Sequence, residues 1–159
     1  MLLKGKFKVE HVRDGEVLNT IEGLNGITNG GYDALLDIMF HADTQIDPWY
    51  IRLIDNAGFS ALAAADTMAS HAGWVELSEF DETVRPEWTE GASSGQSITN
   101  SSAVVFNMNA TKTVNGIFVC SDNTIDATAG TLWATGSFSS AQAVENGDQL
   151  RITYTVAKA

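Results

Sequence analysis

The chain has 159 residues, of which 44% are hydrophobic and 18% charged, so it is long enough to bury a core without a disulfide or a metal. No apolar stretch approaches the roughly 20 residues of a membrane span, and the N-terminus lacks the continuous apolar region of a signal peptide. The net charge of −11 disfavours nucleic acid as a partner, because an acidic protein repels phosphate. We therefore expect one domain, residues 1–159, that binds neither nucleic acid nor a membrane.

The charge is unevenly distributed along the chain. Residues 1–13 carry a net charge of +3 and the remainder carries −14. The basic residues of this N-terminal segment are Lys4, Lys6, Lys8 and Arg13. Such a segment on an acidic protein is suited to contact with an acidic protein surface. The alternative is a solvated edge strand, on which lysines prevent pairing with other chains.

Residues 1–22 predict an N-terminal β-hairpin. Apolar and charged residues alternate from Leu3 to Glu10, which is the period of a strand with one buried face. Asp14-Gly15 is a typical hairpin turn because both residues tolerate positive φ values. A second strand is expected from residue 16 to residue 22, followed by a loop over residues 23–26.

One convincing helix is predicted, from residue 28 to about residue 41. Thr28 or Asn29 is suited to cap it. Apolar residues recur at helical spacing and predict a face that is buried on a sheet. These residues are Tyr32, Leu35, Leu36 and Met39.

Short strands and turns are predicted for the rest of the chain. The strands fall near residues 49–55, 74–80, 103–109, 113–121, 131–135 and 149–156. Apolar residues occupy both phases of the first of these, which is typical of a strand covered on both faces. Residues 91–102 are small and polar and predict an exposed loop. About eight antiparallel strands with one helix packed on them predict a mainly β protein, a jelly-roll-like β-sandwich.

Motifs for metal or phosphate binding are missing from the sequence. We find no HExxH motif, no EF-hand loop and no glycine pattern of the phosphate-binding kinds. Structural or surface roles explain His11, His41 and His71, and Cys120 is interpreted as a small buried hydrophobe. Turn formation explains the acidic loop residues more simply than calcium binding does. We predict a non-enzymatic protein that uses no metal or other cofactor.

Trp88 is the tryptophan that the sequence predicts to be exposed. It lies in the polar segment Pro-Glu-Trp-Thr-Glu, whereas Trp49 and Trp74 lie within apolar stretches. An exposed tryptophan can anchor a protein interface or stack on a sugar. A glycan-binding β-sandwich, such as a tail-fibre or receptor-binding module, is therefore the alternative function.

Three stretches of the chain resemble small structural proteins of tailed bacteriophages. They cover residues 26–74, 88–122 and 130–156, and begin GITNGGYDALL, WTEGASSGQSITN and GTLWATGSF. Within that group the chain is similar to the capsid cement or decoration proteins of short-tailed phages. The resemblance implies a jelly-roll protein that clamps the major capsid protein lattice against the pressure of packaged DNA. It also implies a homo-oligomer, with a dimer favoured over a trimer.

The same resemblance places the protein on the capsid surface of the virion, after synthesis in the cytoplasm of a bacterial host. On this hypothesis the basic N-terminal segment and edge strands dock on the capsid, while apolar strand edges or Trp88 help self-association. The expected contact residues are Lys4, Lys6, Lys8, Arg13 and Trp88.

Overall fold

The computed structural model of the protein describes residues 3–159, which contain eight β-strands and one α-helix. The elements are β1 (Leu3–Arg13), β2 (Glu16–Ile27), α1 (Asn29–Phe40), β3 (Tyr50–Asp55), β4 (Ser97–Thr99), β5 (Val104–Asn107), β6 (Lys112–Cys120), β7 (Leu132–Val144) and β8 (Gln149–Lys158). All the pairings between these strands are antiparallel. The predicted mainly β class with one helix is confirmed.

The strands form a curled sheet in the order β3-β6-β7-β2-β1-β8-β4, with β5 paired on β8. β2 pairs with β1 over most of its length but with β7 only through Gly26 and Ile27. The sheet therefore folds over at the end of β2. One layer contains β2, β1, β8, β4 and β5, and the other contains β7, β6 and β3, which is a sandwich-like arrangement.

Side chains of both layers fill the main core. The first layer contributes Phe7, Val9, Phe106, Ile152 and Tyr154, and the second contributes Ile51, Leu53, Ile117, Val119 and Phe138. A smaller cluster lies on the other face of β3 and β6, where Met68 and Trp74 from the irregular segment after β3 pack on Phe118. β3 is thus covered on both faces, as its sequence predicts, although it is the last strand of the sheet.

Four predicted boundaries are wrong. The strand expected at residues 131–135 extends to Val144 as β7. The expected loop at residues 23–26 is part of β2, where Gly23 pairs with Phe7 of β1. A glycine suits this position, because a Cβ on residue 23 would lie 2.5 Å from the Phe7 ring. The expected strand at residues 74–80 makes only isolated bridges, such as Phe80 with Met108. The loop at residues 91–102 contains the short strand β4.

Helix α1 is anchored at its N-terminal end. The Thr28 hydroxyl accepts a hydrogen bond from the Gly31 N–H and donates to the Leu132 carbonyl oxygen, which ties the cap to β7. The helix ends at Phe40, close to the predicted residue. The prediction of a buried apolar face is wrong for Leu36 and Met39, which are 54% and 64% exposed. Periodicity identifies an apolar face, but it does not fix how closely the helix approaches the sheet.

Gly31 and Gly30 provide a matched test of this anchor. A Cβ on Gly31 would lie 2.5 Å from the Trp133 carbonyl oxygen, so Gly31→Ala is expected to destabilise the fold by about 1–3 kcal/mol. A Cβ on Gly30 meets nothing within 4 Å, so Gly30→Ala is expected to be neutral or to stabilise by up to about 1 kcal/mol. Urea denaturation measures both values. Equal effects of the two substitutions would contradict the close contact at Gly31.

Candidate binding surfaces

Three lysines lie along the outward side of β1. Gly5, Phe7 and Val9 are buried in the alternate phase, so Lys4, Lys6 and Lys8 point away from the core. We call these three residues the lysine row. Consecutive members are two residues apart on one strand, which places them roughly 6–7 Å from each other. Lys4 and Lys6 are exposed, and Lys8 forms an ion pair of 2.7 Å with Glu10.

The lysine row borders a shallow groove on the outer face of the first layer. The groove has a volume of about 480 Å³. Thr153 and Thr155 of β8 line one side, and Glu22 and Leu24 of β2 line the other. This face therefore combines ammonium groups, hydroxyl groups, the carboxylate of Glu22, which lies opposite Lys8, and one leucine that is 63% exposed.

The alternative prediction of a lysine-protected edge strand is wrong. β1 lies between β2 and β8 and pairs with both along most of its length. Its lysines therefore extend from a central strand whose backbone is held on both edges. The segment is not a detachable arm, and deletion of residues 1–13 would remove a central strand of the sheet.

Arg13 is engaged elsewhere. Its Nε lies 2.7 Å from Asp148 Oδ1 and its Nη2 lies 2.9 Å from Oδ2. Asp148, which is only 1% exposed, also accepts hydrogen bonds from His11 Nε2 at 2.6 Å and from the Glu145 N–H at 2.7 Å. The hydrogen bonds from Arg13 hold the pKa of Asp148 well below its usual range. Arg13 thus serves a buried network that joins β1 to the turn before β8.

The predicted exposure of Trp88 is wrong. Trp88 is 5% exposed, its indole N–H donates to the Tyr154 carbonyl oxygen at 3.1 Å, and its ring lies edge-on to the Tyr154 ring. Its segment runs beside the free edge of β3, where the Trp88 N–H donates to the Trp49 carbonyl oxygen. The exposed Glu87 precedes it and Trp88 turns inward. The polar residues next to Trp88 in the sequence reflect the outer side of this segment and do not indicate the direction of the Trp88 side chain.

An apolar cleft of about 520 Å³ lies between α1 and the sheet. Ala34, Leu35 and Ile38 line its helix side, and Trp49 and Trp133 line its sheet side. None of the described residues that line it is charged. Its volume is within the range of small-molecule sites, roughly 300–1,000 Å³. Sequence reasoning missed the cleft, because it assumed that the helix packs directly on the sheet.

The cysteine and two of the histidines, which are potentially reactive side chains, have structural roles. Cys120 is fully buried, and burial raises the pKa of its thiol to about 11, so the interpretation as a small hydrophobe is confirmed. His11 pairs with Asp148, and His71 stacks on Trp74 with ring centroids 3.9 Å apart. Within residues 3–159 no group of three or more His, Cys, Asp or Glu side chains is placed to hold a metal.

Two acidic loops form turns, as predicted. Asp55 Oδ1 accepts the Ala57 N–H and Asp122 Oδ1 accepts the Thr124 N–H, each at 2.8 Å. Both contacts are the local turns that aspartate favours. Turn formation therefore accounts for these two carboxylates.

One short motif also has the spacing of a hydrolase nucleophile elbow. Residues 91–95 read Gly-Ala-Ser-Ser-Gly, which fits the pattern GxSxG. An elbow requires a sharp turn from a strand into a helix, and a base beside the serine. Here the motif lies in an irregular segment that leads into β4, and Ser93 hydrogen-bonds to no histidine of the described chain. The spacing alone does not build a catalytic site.

Residues 3–159, which the structure describes, contain no helix that is long and apolar enough to cross a membrane. Comparison with known proteins finds no family profile that matches the sequence and no curated protein that matches it.

Proposed function

We propose that this protein is a non-enzymatic structural protein of a phage virion. In this role it is a capsid decoration protein, which binds the major capsid protein lattice from outside and stabilises it. It acts there as a homo-oligomer, with a dimer favoured. The observation that carries the proposal is the lysine row, an ordered basic face on a chain of net charge −11.

The lysine row is suited to a broad and specific protein contact. Because β1 is paired on both edges, the sheet fixes the spacing of the backbone positions from which the three lysine side chains extend. Such an array steers and orients an acidic surface, since charge complementarity sets association rate and register. Leu24 and the two threonines that flank the groove add apolar and hydrogen-bonding contacts.

The sequence resemblance supports the same function. The stretches that resemble phage decoration proteins contain β3, β6 and β7, which build the second layer, and also α1, β4, β5 and most of β8. A mainly β, sandwich-like protein without a cofactor is the kind of protein that the resemblance implies. The burial of Trp88 removes the residue on which the glycan-binding alternative depended.

Replacing the two exposed lysines of the row is expected to weaken binding to the capsid. The double variant Lys4→Gln/Lys6→Gln keeps polar side chains with part of the aliphatic stems and removes two charges. We expect the Kd for decoration-free capsids of the encoding phage to rise about ten-fold at physiological salt, which corresponds to about 1.4 kcal/mol. Sedimentation of the bound protein with capsids measures this value, and the salt dependence of the Kd should decrease in parallel.

The matched control is Asn123→Asp/Asn146→Asp, which changes two exposed residues that do not line the groove beside the lysine row. Both double variants lower the formal net charge from −11 to −13. The control is expected to bind as the unmodified protein does. Equal binding by the lysine variant and the control would contradict the proposed docking face. An image of the virion that shows none of this chain on the capsid would contradict the function itself.

A further inference from the structure

The apolar cleft between α1 and the sheet exists because the helix is attached to the sheet near one end. Its first turn touches β7, where the Thr28 cap is tied down and Gly31 lies against the strand. Among the described residues, no hydrogen bond joins the helix to the sheet beyond Tyr32, whose hydroxyl donates to the Leu3 carbonyl oxygen at 3.4 Å. The rest of α1 therefore spans the cleft without filling it.

The sheet side of the cleft presents mainly aromatic carbon atoms. The Trp133 indole N–H already donates to the Tyr154 hydroxyl at 3.0 Å, and the Trp88 N–H donates to the Tyr154 carbonyl oxygen at 3.1 Å. Trp49 packs on Trp133 with ring centroids 5.9 Å apart. The N–H groups of Trp88 and Trp133 are thus engaged, and these rings offer a ligand an apolar surface.

Uncharged polar side chains complete the lining. They are Gln45, Ser93, Gln96 and Ser97. Amide and hydroxyl groups of this kind can hydrogen-bond a polar end of a ligand. An ionised group is different, because it would leave water without meeting a counter-charge from any described lining residue. The cleft therefore favours molecules without a charge.

Water gains little from entering this cleft. A bound water molecule needs about two to four hydrogen-bond partners, and an apolar lining supplies few of them. An apolar molecule that displaces this water loses few hydrogen bonds and gains van der Waals contacts with the helix and the sheet. The lining thus favours an apolar occupant over solvent.

We propose that the cleft is a binding site for a small neutral amphiphile, a molecule with an apolar body and one uncharged polar end. The body lies between Ile38 of α1 and Trp133 of β7, and the polar end meets the glutamines and serines of the lining. The volume of about 520 Å³ suits a molecule of drug size. This inference goes beyond the proposed function and does not depend on it, since the described linings of the cleft and of the lysine-row groove share no residue.

A neutral fluorescent probe tests the site on the isolated protein. N-phenyl-1-naphthylamine becomes brighter in apolar surroundings, and we expect saturable binding of one probe per chain with a Kd of about 10 μM. The neutral amphiphile 1-decanol should displace it. Decanoate, which has the same chain length, should require at least a ten-fold higher concentration at pH 7, because its carboxylate meets no cation in the cleft. Equal displacement by the two would overturn the assignment of a neutral ligand.

Substitutions on α1 locate the bound probe. Ile38→Asp places a carboxylate in the cleft and is expected to weaken probe binding at least ten-fold. Leu36→Asp is the matched control, because Leu36 lies on the same helix, does not line the cleft and is 54% exposed. It should bind the probe as the unmodified protein does. Equal binding by these two variants would overturn the proposal.

Ala34→Met tests the same site without adding a charge. Methionine is a good helix former, and its side chain would take up part of the cleft. We expect this variant to bind the probe at least three-fold more weakly, with a circular dichroism spectrum equal to that of the unmodified protein. Full binding by Ala34→Met would contradict the location of the site.

Two other occupants of the cleft would be recognised in the same experiments. The described chain begins at Leu3, which lines the cleft. Probe binding only by a variant that lacks residues 1 and 2 would assign the cleft to the N-terminus of the chain itself. A dimer that dissociates as the probe binds would assign the cleft to a second copy. Either result, or an unmodified protein that does not bind the probe, would overturn the proposal.

Discussion

Glu76→Gln is expected to lower the free energy of unfolding by about 3–5 kcal/mol, because it removes the carboxylate that two buried arginines share. Arg85 donates to both oxygens of Glu76 at 2.9 Å, and Arg52 Nε lies 2.5 Å from Oε1. The side chains of Arg52 and Arg85 are 0% exposed and that of Glu76 is 5% exposed. The neutral amide would leave Arg52 without its counter-charge inside the protein, and Arg85 with only the more distant Asp122, whose Oδ1 lies 3.9 Å from Arg85 Nη1.

Within the Arg52–Glu76–Arg85 cluster, Arg52 has few other contacts that could compensate for the loss of the Glu76 carboxylate. Arg52 approaches Glu76 as an ion pair rather than through an aligned hydrogen bond, and its Nη1 has no partner among the described residues. Its Nη2 donates to the Leu77 carbonyl oxygen, and the guanidinium lies 4.0 Å from the centre of the Phe80 ring. Burial lowers the pKa of Arg52 to about 10, which still leaves it charged at neutral pH.

Urea denaturation at pH 7 measures the effect of Glu76→Gln. Glu87→Gln is the matched control, since Glu87 lies on the same segment with an exposed side chain, and its effect is expected to stay within about 0.5 kcal/mol. A loss of less than about 1 kcal/mol for Glu76→Gln would show that the cluster does not hold this segment in place.

Asp148→Asn is expected to have the second largest effect, a loss of about 2–4 kcal/mol at pH 7. The carboxylate accepts four hydrogen bonds, from His11, from two nitrogens of Arg13 and from the Glu145 backbone. An amide at this position presents its own N–H groups to some of these donors. The turn between β7 and β8 would then lose its link to β1.

The loss should depend on pH. Because the pKa of Asp148 is depressed in the folded state, its stabilising effect is complete above its unfolded value of about 3.9 and is lost as pH falls further toward the folded value. The difference between the unmodified protein and Asp148→Asn is therefore expected to shrink as the pH falls below about 4.

Urea denaturation across this pH range provides the test. Asp14→Asn, in the exposed turn between β1 and β2, is the control, because asparagine also tolerates the φ of 51° at this position. The control should show no such change in its difference from the unmodified protein. A difference for Asp148→Asn that stayed constant down to pH 3 would contradict the depressed pKa.

The sequence predicts those elements whose pattern of residues is complete within one segment of the chain. β1 alternates from Lys4 to His11 and β8 from Gln149 to Tyr154, because each has one face on the core, and Asp14-Gly15 fixes the turn after β1. The cap at Thr28 is equally local, since its hydroxyl bonds the N–H three residues later. These elements agree with their predictions.

The remaining features depend on contacts between distant segments. Arg52 in an apolar strand signals that a buried carboxylate must lie nearby, but its partner Glu76 comes from an irregular segment whose path has no sequence period. Trp88 turns inward because its neighbours follow the edge of β3, which the local composition does not reveal. The lysine row could be predicted as an outward face, whereas its place on a central strand required the pairing with β8.

The pairing of β1 with β8 has a consequence for folding. His11 and Asp148, which this pairing brings together, are 137 positions apart in the chain. Contacts of such long range are slow to form, because the chain loses the entropy of closing a long loop before the contacts stabilise it. During synthesis the β1–β2 hairpin leaves the ribosome well before β8 exists, and it waits with one edge of β1 unpaired. The strand at the centre of the first layer is therefore the earliest of the described strands to be made and one of the last to be enclosed.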